Sequence, residues 1–411
     1  MLFGGDKLKI KGISIENTKE SIQYFGISQS IFKLPFRLLM VILQYMCMKI
    51  VYSFVKKEKK TKIVIGFSNT YYTGNPRAVF EYMMRYPDKY DVFWVAKNRC
   101  TIKEIKKAGG KVFYIYGLLG ISYFLRADVW VLAHTGIGNI PFLPHRNYKL
   151  VQLWHGIGPK GINHTKKDYE AHDLWCVSSE FSKERHITLW GAPSTKLRVT
   201  GFARMDKLLE YLKVARETLL EEMGIKNGEK IILYAPTFDV GLWPWGDPYE
   251  EFEKFCKFCK KNNLILILRL HPLAKINKRK LKKLVKIYEN VYWLDMPKEP
   301  DTMKLLAVAD ILITDWSSIY TDYFLTKRPI IYLEVNKDFY TKARGKPEIP
   351  PEFRAGEIAH NSEEFYKALN TVLKEGNRHA EKQEKLLKII HGNVDGKASE
   401  RVAKVIEELL H

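Results

Sequence analysis

The sequence predicts an α/β protein of two doubly wound, Rossmann-type domains facing a cleft, and three observations carry the prediction. From Lys62 onward, short β-branched runs alternate with amphipathic stretches, the pattern of parallel strands joined by helices. The alternation breaks at a helical segment, Asp206 to Gly228, and then begins again, so the chain has two halves of similar pattern. Finally, three strand-like runs end abruptly in polar residues: Leu153-Trp154-His155-Gly156, Leu268-Arg269-Leu270-His271-Pro272 and Ile313-Thr314-Asp315-Trp316-Ser317-Ser318. Open α/β sheets take their ligands at the carboxyl ends of strands, so these clusters read as one anion-handling cleft.

The first 60 residues stand apart. Met1 to Ser21 is polar and interrupted by charge, unlike a cleavable secretory signal. Ile31 to Val55 is apolar but broken by Lys33, Arg37 and Lys49, too short an uncharged run to span a bilayer. With the basic Lys56 to Lys60 after it, the segment is expected to lie on an anionic membrane surface, or else to pack as a helix on the first domain or a partner. Residues 61–210 then form the first domain. Its strands are Lys62 to Phe67, Asp91 to Ala96, Lys111 to Ile115, Ala127 to Leu132, Leu150 to Leu153, Leu174 to Val177 and Leu197 to Val199, with helices such as Asn75 to Tyr86 and Ser179 to Trp190 between them. Residues 211–411 form the second domain. Its strands are Lys230 to Tyr234, Leu264 to Leu270, Val291 to Leu294, Ile311 to Thr314 and Ile330 to Leu333, and it closes with helices Ser362 to Glu375 and Arg378 to Leu410, the latter broken near Gly392 to Gly396.

A length of 411 residues suits two domains, and the 46% of hydrophobic residues can fill two cores. The formal charge of +21 would attract nucleic acid, anionic membrane or phosphorylated substrates. Zinc-finger spacing, RNP-like strands and basic zippers are all absent, so nucleic acid is not the expected partner. The Lys-rich stretch Asn277 to Lys286 reads equally as a solvated, membrane-facing or thermally adapted surface. Five cysteines in no framework spacing favour a reducing compartment, and Cys256 and Cys259, a lone C-x-x-C on the helical pattern Glu250 to Lys261, read as packing residues. The sequence leaves the oligomeric state open.

A histidine opening a loop after a strand, like His155, can take a proton from a hydroxyl near neutral pH; a structural histidine is the alternative. Lys160, Arg269 and His271 supply donors of the kind that hold phosphate oxygens. Thr237, at the end of Tyr234-Ala235-Pro236-Thr237, reads as a phosphate-binding hydroxyl or a turn residue. Asp315, Ser317 and Ser318 open a predicted helix, Ser318 to Leu325, as an anion site or as an ordinary cap. There is no Walker A sequence, no G-x-G-x-x-G and no D-x-D pair, so no metal or cofactor is expected and charge neutralisation falls to Arg, Lys, His and backbone amides.

Taken in order, Asn75-Pro76-Arg77, Trp154-His155-Gly156 with Lys160, Ser179-Glu180-Phe181-Ser182, Gly201-Phe202-Ala203-Arg204-Met205-Asp206, Tyr234-Ala235-Pro236-Thr237, Arg269-Leu270-His271-Pro272, Asp310, Thr314-Asp315-Trp316-Ser317-Ser318 and Arg328-Pro329-Ile330 resemble the CDP-glycerol glycerophosphotransferases of teichoic-acid synthesis. The resemblance spans Ile63 to Leu369. It implies a GT-B-like fold and transfer of glycerol phosphate from CDP-glycerol to a hydroxyl of a lipid-linked acceptor at the cytoplasmic face of the membrane, with release of CMP. It implies that His155 is the base, that His271 assists at the diphosphate, and that Ser317, Ser318 and Thr237 hold donor phosphates. Lys160, Arg269 and Asp315 join the donor site, and Asn75, Arg204 and Asp206 are placed on the acceptor side or in secondary roles. Met205, Phe238 to Trp243 and Arg354-Ala355-Gly356-Glu357 depart from the family pattern, which bears on the donor alcohol and acceptor. Chain length without a large extra domain suits a priming enzyme or short-chain extender. Two rival readings are a GT-B glycosyltransferase or nucleotide-sugar epimerase using the same cleft, and a non-enzymatic polyanion- or membrane-binding protein with structural histidines.

Overall fold

The structure, a computed structural model, describes Met46 and residues 62–411 except Thr70, Lys97, residues 115–122, 124, 125 and 134–147, Glu229, Pro272, Pro297 and Arg344. Apart from Met46, the expected membrane-surface segment 1–60 lies outside the described residues. No helix among the described residues is long and apolar enough to cross a membrane.

The first half builds β1 (Ile63–Ser68), α1 (Gly74–Met84), β2 (Tyr90–Ala96), α2 (Arg99–Lys107), β3 (Lys111–Tyr114), β4 (Val129–Leu132) and β5 (Lys149–Gln152). A two-residue strand, β6 (Gly161–Ile162), and α3 (Lys166–Glu170) follow, then β7 (Leu174–Val177), α4 (Glu180–Trp190), β8 (Leu197–Val199) and α5 (Arg204–Tyr211). Seven strands pair in parallel in the order β3-β2-β1-β4-β5-β7-β8. The direction of winding reverses between β1 and β4, and the crevice at such a switch point is where a ligand enters.

The second half repeats the plan with α6 (Arg216–Glu222), β9 (Lys230–Tyr234), α7 (Pro248–Lys261), β10 (Leu264–Leu268), α8 (Lys278–Ile287), β11 (Val291–Trp293), α9 (Thr302–Val308), β12 (Ile311–Thr314), α10 (Ile319–Tyr323) and β13 (Ile330–Leu333). After β14 (Lys346–Pro347) come β15 (Glu357–Ala359), α11 (Ser362–Glu375), α12 (Ala380–His391) and α13 (Ala398–Leu410). The sheet order is β11-β10-β9-β12-β13-β15, again all parallel, with the switch between β9 and β12. The central strands β9, β10 and β12 are continuous apolar runs because helices cover both faces. Cys256 and Cys259 are fully buried in this core, as packing residues.

Two features were not visible in the hydrophobic pattern. β15 is a half-exposed edge strand reached after a long excursion from β13, and β14 crosses to pair antiparallel with β6 of the first half. A Cβ on Gly161 would collide with the Gly345 carbonyl, so this crossing needs glycine.

A linear cut at 210/211 separates the two sheets but misplaces the last helix. Val402, Ala403 and Ile406 of α13 belong to the core of the first sheet, beside Ile65, Val79 and Val151. Gly392 and Gly396, both at positive φ, make the break that lets the chain return. Asp206 fixes the landing point: its two carboxylate oxygens accept the Ala398 and Ser399 amides at 3.1 and 2.7 Å, capping the start of α13. Asp206 is therefore a buried cap rather than a group of the cleft. Asp206→Ala is expected to lower unfolding stability by about 1–2 kcal/mol, the loss of a helix cap, measurable by urea denaturation; an unchanged midpoint would refute the role.

Candidate active site

The carboxyl ends of the two sheets enclose a cleft of about 280 Å³. The first half lines it with Asn75, Ala133, His155 and Arg204, the second with Arg269, His271, Ser317, Ser318 and Asp322. Within the cleft, the halves also meet where the loop after β5 approaches the loop after β12. A Cβ on Gly156 would lie 3.0 Å from the Ser318 hydroxyl oxygen, and one on Gly158 would lie 3.3 Å from the Ser318 Cα. Glycine in the W-H-G element thus permits a close approach to the opposite domain.

His155 is aimed by strain held in place. Trp154 adopts φ 56°, a left-handed conformation that a bulky residue rarely takes and that costs about 1–3 kcal/mol. Its amide donates to Gln152 Oε1 at 3.0 Å, and its carbonyl accepts from Asn75 Nδ2 at 2.8 Å. The same amide nitrogen of Asn75 reaches the Leu153 carbonyl at 3.1 Å, while Asn75 Oδ1 accepts the Arg204 amide at 3.0 Å. Asn75 thus ties the start of α1, the turn before His155 and the start of α5. Beyond the turn, His155 Nδ1 lies 3.0 Å from the Ala133 carbonyl oxygen. A carbonyl can only accept, so the proton sits on Nδ1 and the basic lone pair on Nε2.

His271 has the opposite tautomer. The Leu273 amide donates to its Nδ1 at 3.1 Å, which leaves the ring proton on Nε2. Desolvation in the cleft, followed by the nearby Lys160 ammonium, pushes its pKa down to about 4, so at physiological pH the ring is a neutral donor. The cleft therefore holds an imidazole acceptor from one domain and an imidazole donor from the other.

Ser317 and Ser318 line the cleft, and Ser318 makes no side-chain capping bond to α10. The helix they open is one short α-turn, Ile319–Tyr323, continued by a 3₁₀ turn, Phe324–Thr326, close to the span the sequence suggested. Lys160 is half-buried beside the cleft, close enough for its charge to favour the ionised form of Asp315 as well as the neutral form of His271.

Three expected donor-site residues have other duties. The Thr237 hydroxyl is buried, donates to Asp315 Oδ2 at 2.5 Å and sits 2.9 Å from the Tyr340 hydroxyl, so it does not face the cleft. Asp315 is fully buried, accepting the Thr237 amide at 3.0 Å as well; desolvation raises its pKa, and it joins the loops after β9 and β12. Arg269 lines the cleft, but its guanidinium donates to the Leu294, Glu299 and Pro300 carbonyls and to the Thr302 hydroxyl. Burial is the main cause lowering its pKa, to about 10. It organises the loop from β11 to α9 instead of presenting a free fork to a diphosphate. Arg204 forms a two-pronged pair with Asp322, Nε to Oδ2 at 2.8 Å and Nη2 to Oδ1 at 2.9 Å. Asp322, Gln152 and Tyr340 escaped the sequence reading; only Asp322 had a signal, its place one helical turn after Ser318.

The family model of CDP-Glycerol:Poly(glycerophosphate) glycerophosphotransferase matches residues 47–408. The teichoic acid poly(ribitol-phosphate) polymerase of Bacillus spizizenii is 25% identical over 365 residues, covering 85% of this chain and 56% of that protein. The teichoic acid poly(glycerol phosphate) polymerase of the same organism is 29% identical over 316 residues, covering 69% of this chain and 76% of that protein. The chain thus spans little more than half the length of the first of these relatives. A structure of the wall teichoic acid polymerase TagF, a variant soaked with CDPG, shares the fold with a TM-score of 0.68 at 19% identity, covering 97% of this chain and 98% of that one.

Two measurements follow from the geometry. The His271 ring signals should not titrate by NMR until the pH falls well below 6, because a histidine whose folded-state pKa is depressed keeps its stabilising neutral form above the ordinary value near 6.5 and loses it only as pH drops through about 4. A midpoint near 6.5 would show that the ring is not desolvated. Asn75→Ala should cost about 1–3 kcal/mol in denaturant unfolding, since it strands the buried Arg204 amide and two carbonyls; a neutral effect would show that the Trp154 turn holds itself.

Proposed function

The chain belongs to the CDP-glycerol:poly(glycerophosphate) glycerophosphotransferase family, and on that premise we propose that it transfers glycerol phosphate from CDP-glycerol to a hydroxyl of a lipid-linked acceptor in teichoic-acid-type polymer synthesis, releasing CMP. His155 Nε2 takes the proton of the acceptor hydroxyl as its oxygen attacks the phosphorus that bears glycerol. The bond from that phosphorus to the bridging oxygen breaks, and CMP departs with the bridging oxygen. The His271 Nε2 proton, the Ser317 and Ser318 hydroxyls and the Lys160 charge stabilise the negative charge that gathers on the phosphates. Arg269, Thr237 and Asp315 act from behind, holding the loops that carry these groups.

The observation that carries this reading is the pairing of opposite tautomers across one cleft. A phosphoryl transfer between two oxygens needs an acceptor for the incoming proton and a donor for the outgoing charge, and His155 and His271 offer one each. The relatives are named for ribitol phosphate and for glycerol phosphate, and the more identical of the two is the glycerol phosphate polymerase. CDP-glycerol is accordingly the proposed donor. With a lipid-linked acceptor and a nucleotide-activated donor, the proposed location is the cytoplasmic face of the membrane, as a peripheral protein.

Incubation with CDP-glycerol, CDP-ribitol and UDP-sugars, each with a lipid-linked disaccharide or with one already bearing glycerol phosphate units, and with or without a chelator, should release CMP fastest from CDP-glycerol. Release of UDP alone would overturn the reading in favour of sugar chemistry. His155→Ala should lower turnover by about 10²–10⁴-fold with CDP-glycerol affinity unchanged by calorimetry, whereas Ser317→Ala should weaken CMP binding; near-wild-type turnover of the first variant would remove His155 as the base.

A further inference from the structure

The stretch from Lys278 to Ile287 is an amphipathic helix whose inner side, Leu281 and Leu284, is packed in the core of the second sheet. Its outer side is uniformly cationic. Lys278, Arg279, Lys282, Lys283 and Lys286 are all exposed, and at about 100° per residue they fall within one arc of about 140°. The helix contains no acidic residue. Neighbouring acids are engaged elsewhere: Glu253 pairs with Lys257 and accepts from the Tyr288 hydroxyl, and Glu289 pairs with Lys226. Lys280, off the arc, lies over the Tyr249 ring. Cations at Lys278, Arg279 and Lys280 also crowd the helix end where the backbone dipole is positive, an arrangement that folding alone disfavours.

Along the helix axis, Lys278, Lys282 and Lys286 form a line with a rise of about 6 Å between neighbours, flanked by Arg279 and Lys283. Regular spacing of single positive charges suits a linear chain of single negative charges, and a short polyol phosphodiester repeat has a comparable length. The helix follows directly from the cleft: its capping residue, Asn277, is six positions beyond His271, and the loop between them starts at the carboxyl end of β10. A bilayer would need apolar groups to insert. Here the apolar stripe is already buried, and the one strongly exposed apolar residue, Ile287, stands at the last position of the helix.

We propose that the outer face of α8 is a binding track for an anionic polyol-phosphate chain, holding the units already present on the acceptor while its terminal hydroxyl lies in the cleft. The inference rests on the transferase reading for the identity of the chain, and it makes the enzyme an extender of acceptors that already carry phosphodiester units. Attraction of this kind falls with ionic strength, because the charges are exposed.

The test uses the full chain and the variant K278Q/K282Q/K286Q, whose substitutions are exposed and outside the catalytic groups. Binding of a fluorescent oligo(glycerol phosphate) is read by anisotropy, which needs no turnover, so a failed donor assay would sink the transferase reading and leave this test standing. The variant should bind the oligomer about ten-fold more weakly, the summed worth of three exposed ion pairs, and show a raised KM for oligomeric acceptor with unchanged kcat and unchanged KM for CDP-glycerol. Inorganic phosphate at equal phosphorus concentration should compete poorly. Equal oligomer affinity in both proteins would overturn the track. So would effective competition by inorganic phosphate, or a variant that keeps its oligomer affinity while losing binding to vesicles of phosphatidylglycerol in phosphatidylcholine, which would make the face a membrane contact.

Discussion

A bulky tryptophan held in a left-handed backbone conformation is the constraint on which the site is built. Strain of that kind survives only where the surroundings overdetermine it. Around Trp154 they do so from three directions: Gln152 takes the amide, Asn75 takes the carbonyl, and the indole is buried against Trp175 and His164. With the turn fixed, His155 has little choice of direction, and the Ala133 carbonyl then selects its tautomer. Glycines at 156 and 158 then leave room for Ser318 of the other half, which would stand 3.0 and 2.9 Å from side chains there. One strained residue therefore sets the direction of the His155 ring and, through the Ala133 carbonyl, where its proton sits.

The two halves are held together by buried charge as well as by packing. Arg77 of α1 bridges Glu81 and Asp301 at 2.7 and 2.8 Å, and the Tyr211 hydroxyl reaches the same Asp301 oxygen. Arg204 and Asp322 form a second link at the cleft wall, and Glu348 reaches from the β14 region to Ser182 and His186. Such pairs contribute little against an apolar alternative, but losing one partner leaves an uncompensated buried charge. Their value here is positional: Arg77–Asp301 and Glu348–His186 tie the halves together, and Arg204–Asp322 does so at the cleft wall.

That use of arginine bears on the composition of the cleft. Arg77, Arg204 and Arg269 all lie near the cleft, yet each guanidinium is occupied by carboxylates or loop carbonyls. In the proposed reaction, charge stabilisation would pass to smaller donors: the His271 imidazole, the Ser317 and Ser318 hydroxyls that line the cleft, and Lys160 beside them. Exposed positive charge is instead displayed on outer surfaces such as α8, apart from the cleft, as the proposed binding of a polyanion there requires.

By itself, the sequence determined the alternation of strands and helices, the two-fold repetition of the plan and the strand ends that carry His155, His271, Ser317 and Ser318, because apolar periodicity and abrupt polar endings are local properties of the chain. It also carried the order of motifs that marks the family. Only the tertiary structure decided what each polar side chain does. Thr237 and Asp206 look like ligands at the ends of their motifs, but folding brings Asp315 within reach of the threonine hydroxyl and the start of α13 within reach of the aspartate carboxylate. Asp322 and Gln152 carry no motif and became visible only through their partners. The return of α13 to the first sheet was equally hidden, since an amphipathic helix shows that it has an apolar face but not which core will cover it. Hydrogen-bond partners and core assignment depend on residues distant in sequence, so no local pattern can encode them.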